Sequence, residues 1–159
     1  MRKCSYAVKS EFIQFVIALA ALVAGGSAEE LLPKVAGVGL PLLMASSVFM
    51  STRLSTPLTV MFAVAAGAVE DSLSCLPPAT SSSFFLAVAA LARWSEFPRG
   101  ALVLAYPLYQ WWLWVWTGGT YGVLFNRMLV AVPLGLASVP VAWIALTWLE
   151  RRAAVDEAR

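Results

Sequence analysis

Apolar residues run along this chain in six long stretches, parted by short segments that carry charge or proline. No charged residue occurs between Glu11 and Glu29, Lys34 and Arg53, Arg53 and Glu70, Asp71 and Arg93, Arg99 and Arg127, or Arg127 and Glu150. Counted between those charges, the stretches hold 17, 18, 16, 21, 27 and 22 residues. A bilayer core of ~30 Å takes roughly 17–25 apolar residues in helix. The pattern predicts an all-α integral membrane protein, a compact bundle of about six transmembrane helices.

Local signals place the helices. The first covers about 12–28 and contains Ala20-x-x-x-Ala24 and Ala24-x-x-x-Ala28, small residues at a spacing that allows close helix approach in lipid. The second covers 38–50, with Pro41 near its start, where proline is tolerated. Residues 53–57 form a tight turn, and the third helix covers 58–69. Its 16 uncharged positions reach only ~24 Å, short of the hydrocarbon core. Pro77-Pro78 breaks the chain, and Thr80, Ser81, Ser82 and Ser83 offer an N-cap for a fourth helix that reaches Arg93. The fifth covers 101–116. After a flexible break at 117–120, the sixth covers 124–149, with a kink or interruption expected at Pro133 and Pro140.

Composition leaves nothing for a soluble domain. The 159 residues are 60% hydrophobic and only 13% charged, against about 25% in a typical soluble domain, and mean hydropathy is +0.78. Residues 1–159 are thus expected to form one transmembrane helical domain, with short ends at 1–11 and 150–159. A net charge of +2 gives no footprint for nucleic acid. Charge distribution sets the orientation. With the N-terminus inside, the cytoplasmic side receives Arg2, Lys3, Lys9, Arg53, Arg93, Arg99, Arg151, Arg152 and Arg159; the outer side receives only Lys34 and Arg127. Nine against two is a strong positive-inside bias, so both termini are expected in the cytoplasm. The aromatic residues between Tyr106 and Tyr121 then crowd the outer end of the fifth helix and read as an interfacial belt. Cys4 and Cys75 fall on opposite sides. The basic start, apolar run and Gly26-Ser27-Ala28 also resemble a cleavable secretory signal; a retained first helix is the expectation.

Few residues suggest chemistry. Glu70-Asp71 is costly at a helix end that scarcely reaches the interface, since acids at mid-membrane cost about 2.5–3.5 kcal/mol. Arg127 is the outer cation that runs against the charge bias, and its guanidinium could pair with Glu70 or Asp71. The chain has no histidine, which excludes His-based catalysis and His metal sites. It has no glycine-rich phosphate loop. No enzyme, metal or cofactor is expected.

The stretch 41–94 resembles the core of the bacterial rod shape-determining protein MreD family. That family shows a proline opening the second helix, an aliphatic run, an arginine turn, and a glycine four residues before an aspartate, then Leu-Ser and a proline. Here these elements are Pro41, 42–50, Arg53, Gly67, Asp71, Leu73-Ser74 and Pro77. Three positions depart: Ala79 stands where the family often has glycine, Glu70 precedes the aspartate, and Pro78 is added. The resemblance covers about a third of the chain. It implies a non-catalytic scaffold of the cell-elongation complex in the inner membrane, binding MreC and working with the actin-like MreB and the peptidoglycan synthases. It also implies a fold similar to the substrate-binding S-component of energy-coupling-factor transporters. The residues it singles out are Gly67 for a close helix contact and Asp71 as a tie at the outer end of helix three, with Arg53 as the arginine turn; Glu70 and Arg127 stand beside them as candidate partner-binding or structural residues from the charge pattern. A vitamin-binding S-component is the alternative; it would use the small residues of the first helix to dock an ATPase-bearing module.

Overall fold

A helix of ten residues sits at the centre of the molecule. In the computed structural model the order is α1 (Arg2–Leu31), α2 (Leu42–Ser51), α3 (Thr56–Leu73), α4 (Thr80–Trp94), α5 (Pro98–Thr117) and α6 (Tyr121–Glu157). The structure describes residues 2–32, 34, 37–95, 98–118 and 120–157, with side chains in helices described between 13 and 152 except at 98, 99, 101 and 102. Helix α2 packs against each of the other five helices. Every residue from Leu43 to Ser51 is buried.

Helix α2 is shorter than the expected 38–50 because Pro41 ends the preceding loop and serves as its N-cap position. It rises only ~15 Å, about half a hydrocarbon core. Its serines add no unpaired groups: Ser46, Ser47 and Ser51 each donate to a carbonyl three or four residues back. Its two ends are another matter, since a helix leaves four N–H and four C=O groups without an intrahelical partner. Glu29 of α1 accepts the Leu43 N–H at 2.7 Å. At the other end, Arg93 of α4 donates to Ser51 O at 3.1 Å and Leu54 O at 2.9 Å. The cation at the C-terminus also suits the helix dipole.

The remaining helices wrap this core. Helix α1 turns Ile17, Ala18 and Ala21 inward, and a methyl group at Gly25 would meet Leu43 at 3.2 Å. The small residues Ala20 and Ala24 lie on the exposed side, so the close-packing stripe is a different one from that expected. Helix α6 is unbroken through Pro133 and Pro140. Both prolines are exposed and about two turns apart, so each ring and the carbonyl it frees face outward.

Large apolar side chains face outward while several small polar ones are buried beside an apolar core. Ser47, Ser51, Thr80, Ser81 and Ser138 are buried at 2% exposure or less, while Leu104, Phe125, Ile144 and Trp94 are more than 60% exposed. Two helices are long and apolar enough to cross a membrane, Ile13–Leu31 within α1 and Tyr121–Arg152 within α6.

Basic residues group at the end opposite Glu29. Arg53 pairs with Glu150 at 3.5 Å and lies over the Phe49 ring, and Arg152 stacks on Trp148. Arg93 does more than these, because it ties two carbonyls at the C-terminal end of α2 to α4. Replacing it (Arg93→Leu) is expected to cost about 1–3 kcal/mol. Thermal unfolding in detergent should show that loss, and Arg152→Leu in the same assay should leave stability nearly unchanged.

Candidate functional site

Two features occupy the end of the molecule that carries Glu29: an interlocked head on the α3–α4 hairpin, and a cavity beside it.

The hairpin head begins with Gly67. A methyl group there would lie 2.3 Å from Ser82 Cα, 2.4 Å from Ser82 N and 2.7 Å from Ser81 C. Real side-chain atoms cannot approach backbone so closely, so only glycine lets α3 and α4 meet at this point. Ser82 Oγ donates to Val64 O at 3.1 Å across the same contact. One turn on, Asp71 is 5% exposed, and its Oδ1 accepts the Ser81 N–H at 2.8 Å. Its Oδ2 is buried with no partner. Helix α4 was expected to be capped by its own serine and threonine side chains, but it has no such cap. The carboxylate of α3 fills that role, which frees the hydroxyls: Ser81 shares a 2.5 Å hydrogen bond with Tyr109, and Ser83 donates to Thr80 O. The residue before α4, Ala79, is left-handed at φ +70°. Glycine adopts that conformation freely and alanine does not.

The cavity has a volume of about 680 Å³. Its walls come from the ends of α1, α3, α5 and α6 and from the 34–41 loop. Glu29 and Glu70 meet there within hydrogen-bonding reach of each other, and Ser74 donates to Glu70 at 3.1 Å. Arg127 faces the cavity from α6, beside the left-handed Gly37. Its Nε is buried and without a partner. The expected Arg127 pair with Glu70 or Asp71 does not form, because Asp71 turns into the helix contact and Glu70 turns to Glu29 and Ser74. Gln110 of α5 is 5% exposed and lines the cavity, yet its side chain makes no hydrogen bond among the described residues.

The aromatic cluster also divides. Tyr106 and Tyr109 are buried, and the Tyr106 hydroxyl donates to Gly39 O at 2.5 Å. Trp112 donates to Thr80 O at 2.9 Å. Trp111 and Trp116 remain about half exposed, as an interfacial belt requires. Cys75 is exposed, while the side chain of Cys4 lies outside the described residues. Among the described residues, no group of three or more Cys, Asp or Glu comes together to hold a metal ion.

Of the residues picked from the sequence, Gly67 and Asp71 belong to the hairpin head, Glu70 and Arg127 to the cavity, and Arg53 to the opposite end. Glu29, Arg93 and Gln110 are the important residues that sequence reasoning missed as a set. A clue was present for Glu29, since an acid shortly before a proline-led helix is a candidate cap from outside. Gln110, a lone amide within an uncharged run, was visible but uninterpreted. Comparison with known protein families, curated proteins and solved structures finds no match to this chain.

The head makes opposite predictions at neighbouring positions. Gly67→Ala should destabilise the protein by about 3 kcal/mol or more, at the upper end of overpacking costs, because backbone atoms must move. Ala79→Gly should stabilise it by about 1 kcal/mol by relieving the left-handed alanine. Melting temperatures of the two variants in one detergent would test both signs together.

Proposed function

We propose that this chain is a multi-pass scaffold of the bacterial inner membrane, of the MreD type, that binds MreC and supports the peptidoglycan synthases of the elongation complex. The observation that carries the proposal is the hairpin head. Three elements of the MreD-like motif do linked work in it: Gly67 admits the backbone of α4, Asp71 caps that helix, and Pro77 with Ala79 sets the turn between. The motif thus has a local physical purpose here, to build a rigid crossing at one end of the bundle. A scaffold needs such a fixed surface, and it needs no reacting group.

Membrane residence is supported by the large apolar side chains that face outward. Leu104, Leu108, Trp111 and Val115 recur along α5 at helical spacing and point outward, as do Phe125, Leu129, Val132 and Leu136 on α6. Lipid tails are the solvent such faces suit. The end that carries Arg53, Arg93, Arg151 and Arg152 is placed in the cytoplasm by the positive-inside rule. Helices α3, α4 and α5 then cross the bilayer with α1 and α6, and α2 lies shielded within the ring.

One observation favours the S-component alternative: the cavity opens at the predicted outer end, and Ala20 and Ala24 are exposed on α1.

Affinity purification from native membranes in mild detergent separates the two. The scaffold proposal expects MreC and elongation synthases to be recovered with the protein. It also expects their loss in Asp71→Lys and Gly67→Leu variants that still insert. Recovery of ATPase subunits and a coupling membrane protein in their place would overturn it.

A further inference from the structure

The cavity holds polar groups that the fold does not use. Three of the acids at this end have structural duties. Asp71 caps α4, Glu29 caps α2, and Glu70 is tied to Ser74 and Glu29. Arg127 and Gln110 have none. Gln110 is more than nine-tenths buried, lines the cavity and makes no side-chain hydrogen bond among the described residues. Arg127 has a buried Nε without a partner and forms no ion pair with Glu29, Glu30, Glu70 or Asp71. A buried polar group left unpaired costs about 1–3 kcal/mol, and more when charged. The buried Arg127 Nε is a cost that a bound molecule would remove, and Gln110 lines the same cavity.

The two walls specify what that molecule carries. On the α6 side, the guanidinium of Arg127 presents a fork of donors suited to a carboxylate or phosphate. Across the cavity, the paired carboxyls of Glu29 and Glu70, with Glu30 beside them, present acceptors suited to an ammonium group. Gln110 can both donate and accept. Lys34, the other cation on the lining, is exposed at the rim. A simple anion would meet the Glu29 and Glu70 carboxyls, and a simple cation would leave Arg127 unpaired. Only a molecule with both charges satisfies both walls. The volume of about 680 Å³ falls within the range for sites that enclose small molecules.

We infer that this cavity binds a compact zwitterion, its anionic group on Arg127 and Gln110 and its ammonium group toward the Glu29–Glu70 pair. That chemistry is found in a free amino acid or short peptide and in an ethanolamine phospholipid headgroup. The inference is independent of the scaffold proposal, since partner capture and ligand binding are read separately.

The test uses the full chain in detergent and in nanodiscs. Calorimetry with O-phosphoethanolamine and with glycylglycine probes free zwitterions, and N-acetyl-glycylglycine removes the ammonium charge. Native mass spectrometry from nanodiscs compares retention of phosphatidylethanolamine with that of phosphatidylcholine, whose head donates no N–H. At least one zwitterion is expected to bind, with the acetylated or choline form about tenfold weaker. Arg127→Gln should weaken binding by about tenfold or more, the loss expected for a hydrogen bond to a charged group. Binding of the soluble probes assigns a free ligand, and retention of the ethanolamine lipid alone assigns a headgroup. Comparing the charged and capped probes on the unmodified protein keeps the test valid if the variant fails to fold. The inference is overturned if no zwitterion binds, if the capped forms bind equally, or if Arg127→Gln binds like the parent.

Discussion

A helix packed against all its neighbours relies on them to pair its end groups. Helix α2 is in that position, and the architecture follows from how its end groups are paired. Glu29 reaches its N-terminus from α1, and Arg93 reaches its C-terminus from α4. The Arg93 cation is of the sign that the helix dipole favours at a C-terminus. Glu29 and Arg93 each tie a different helix to the centre, so pairing the ends of α2 fixes where α1 and α4 lie. In a low-dielectric interior such charge-assisted bonds are strong, and their loss leaves an unpaired group behind. The ten residues of α2 therefore organise a chain more than fifteen times their number.

The same solution recurs at α4. Its N-terminus lacks a cap of its own and takes Asp71 from α3, as α2 takes Glu29 from α1. In both cases the acid sits near the end of the preceding helix, and the chain turns so that the next helix begins beneath it. Gly67 makes the second case possible. Without the close approach it permits, the Asp71 carboxylate could not reach the Ser81 N–H. The left-handed Ala79 is a local cost of this turn, and the capping bond and the buried contact offset it.

Much of the fold was legible in the sequence. Six uncharged stretches mark six helices, because an unpaired charge is excluded from the interior of either a bundle or a bilayer. The ends were less legible. Helix α3 extends through Glu70 and Asp71 to Leu73, beyond the last uncharged position, because both acids find partners and need not end the helix. Helix α2 is shorter than its uncharged stretch because Pro41 stops it and burial removes any need to match a bilayer. The hydroxyls of 80–83 looked like caps because that is their commonest role near a helix start, and a carboxylate ten residues earlier in the chain displaced them. Gly67 and Asp71 could be picked out from motif spacing. The cavity could not, because Glu29, Glu70, Gln110 and Arg127 come from four helices and meet only through the packing around α2.

Two of the acids at the cavity end are explained by capping, and what remains is informative. A charge that caps a buried helix is retained for stability whether or not a ligand exists. Glu29 and Asp71 therefore say little about binding, although they would stand out in any search for acidic sites. Arg127 and Gln110 close no helix end and make no hydrogen bond or ion pair among the described residues, and the Arg127 Nε is buried unpaired. A bundle that needed only to hold its shape would be more stable with apolar residues of similar size at both positions. Their presence in the cavity wall is better accounted for by something that enters the cavity than by the fold that encloses it.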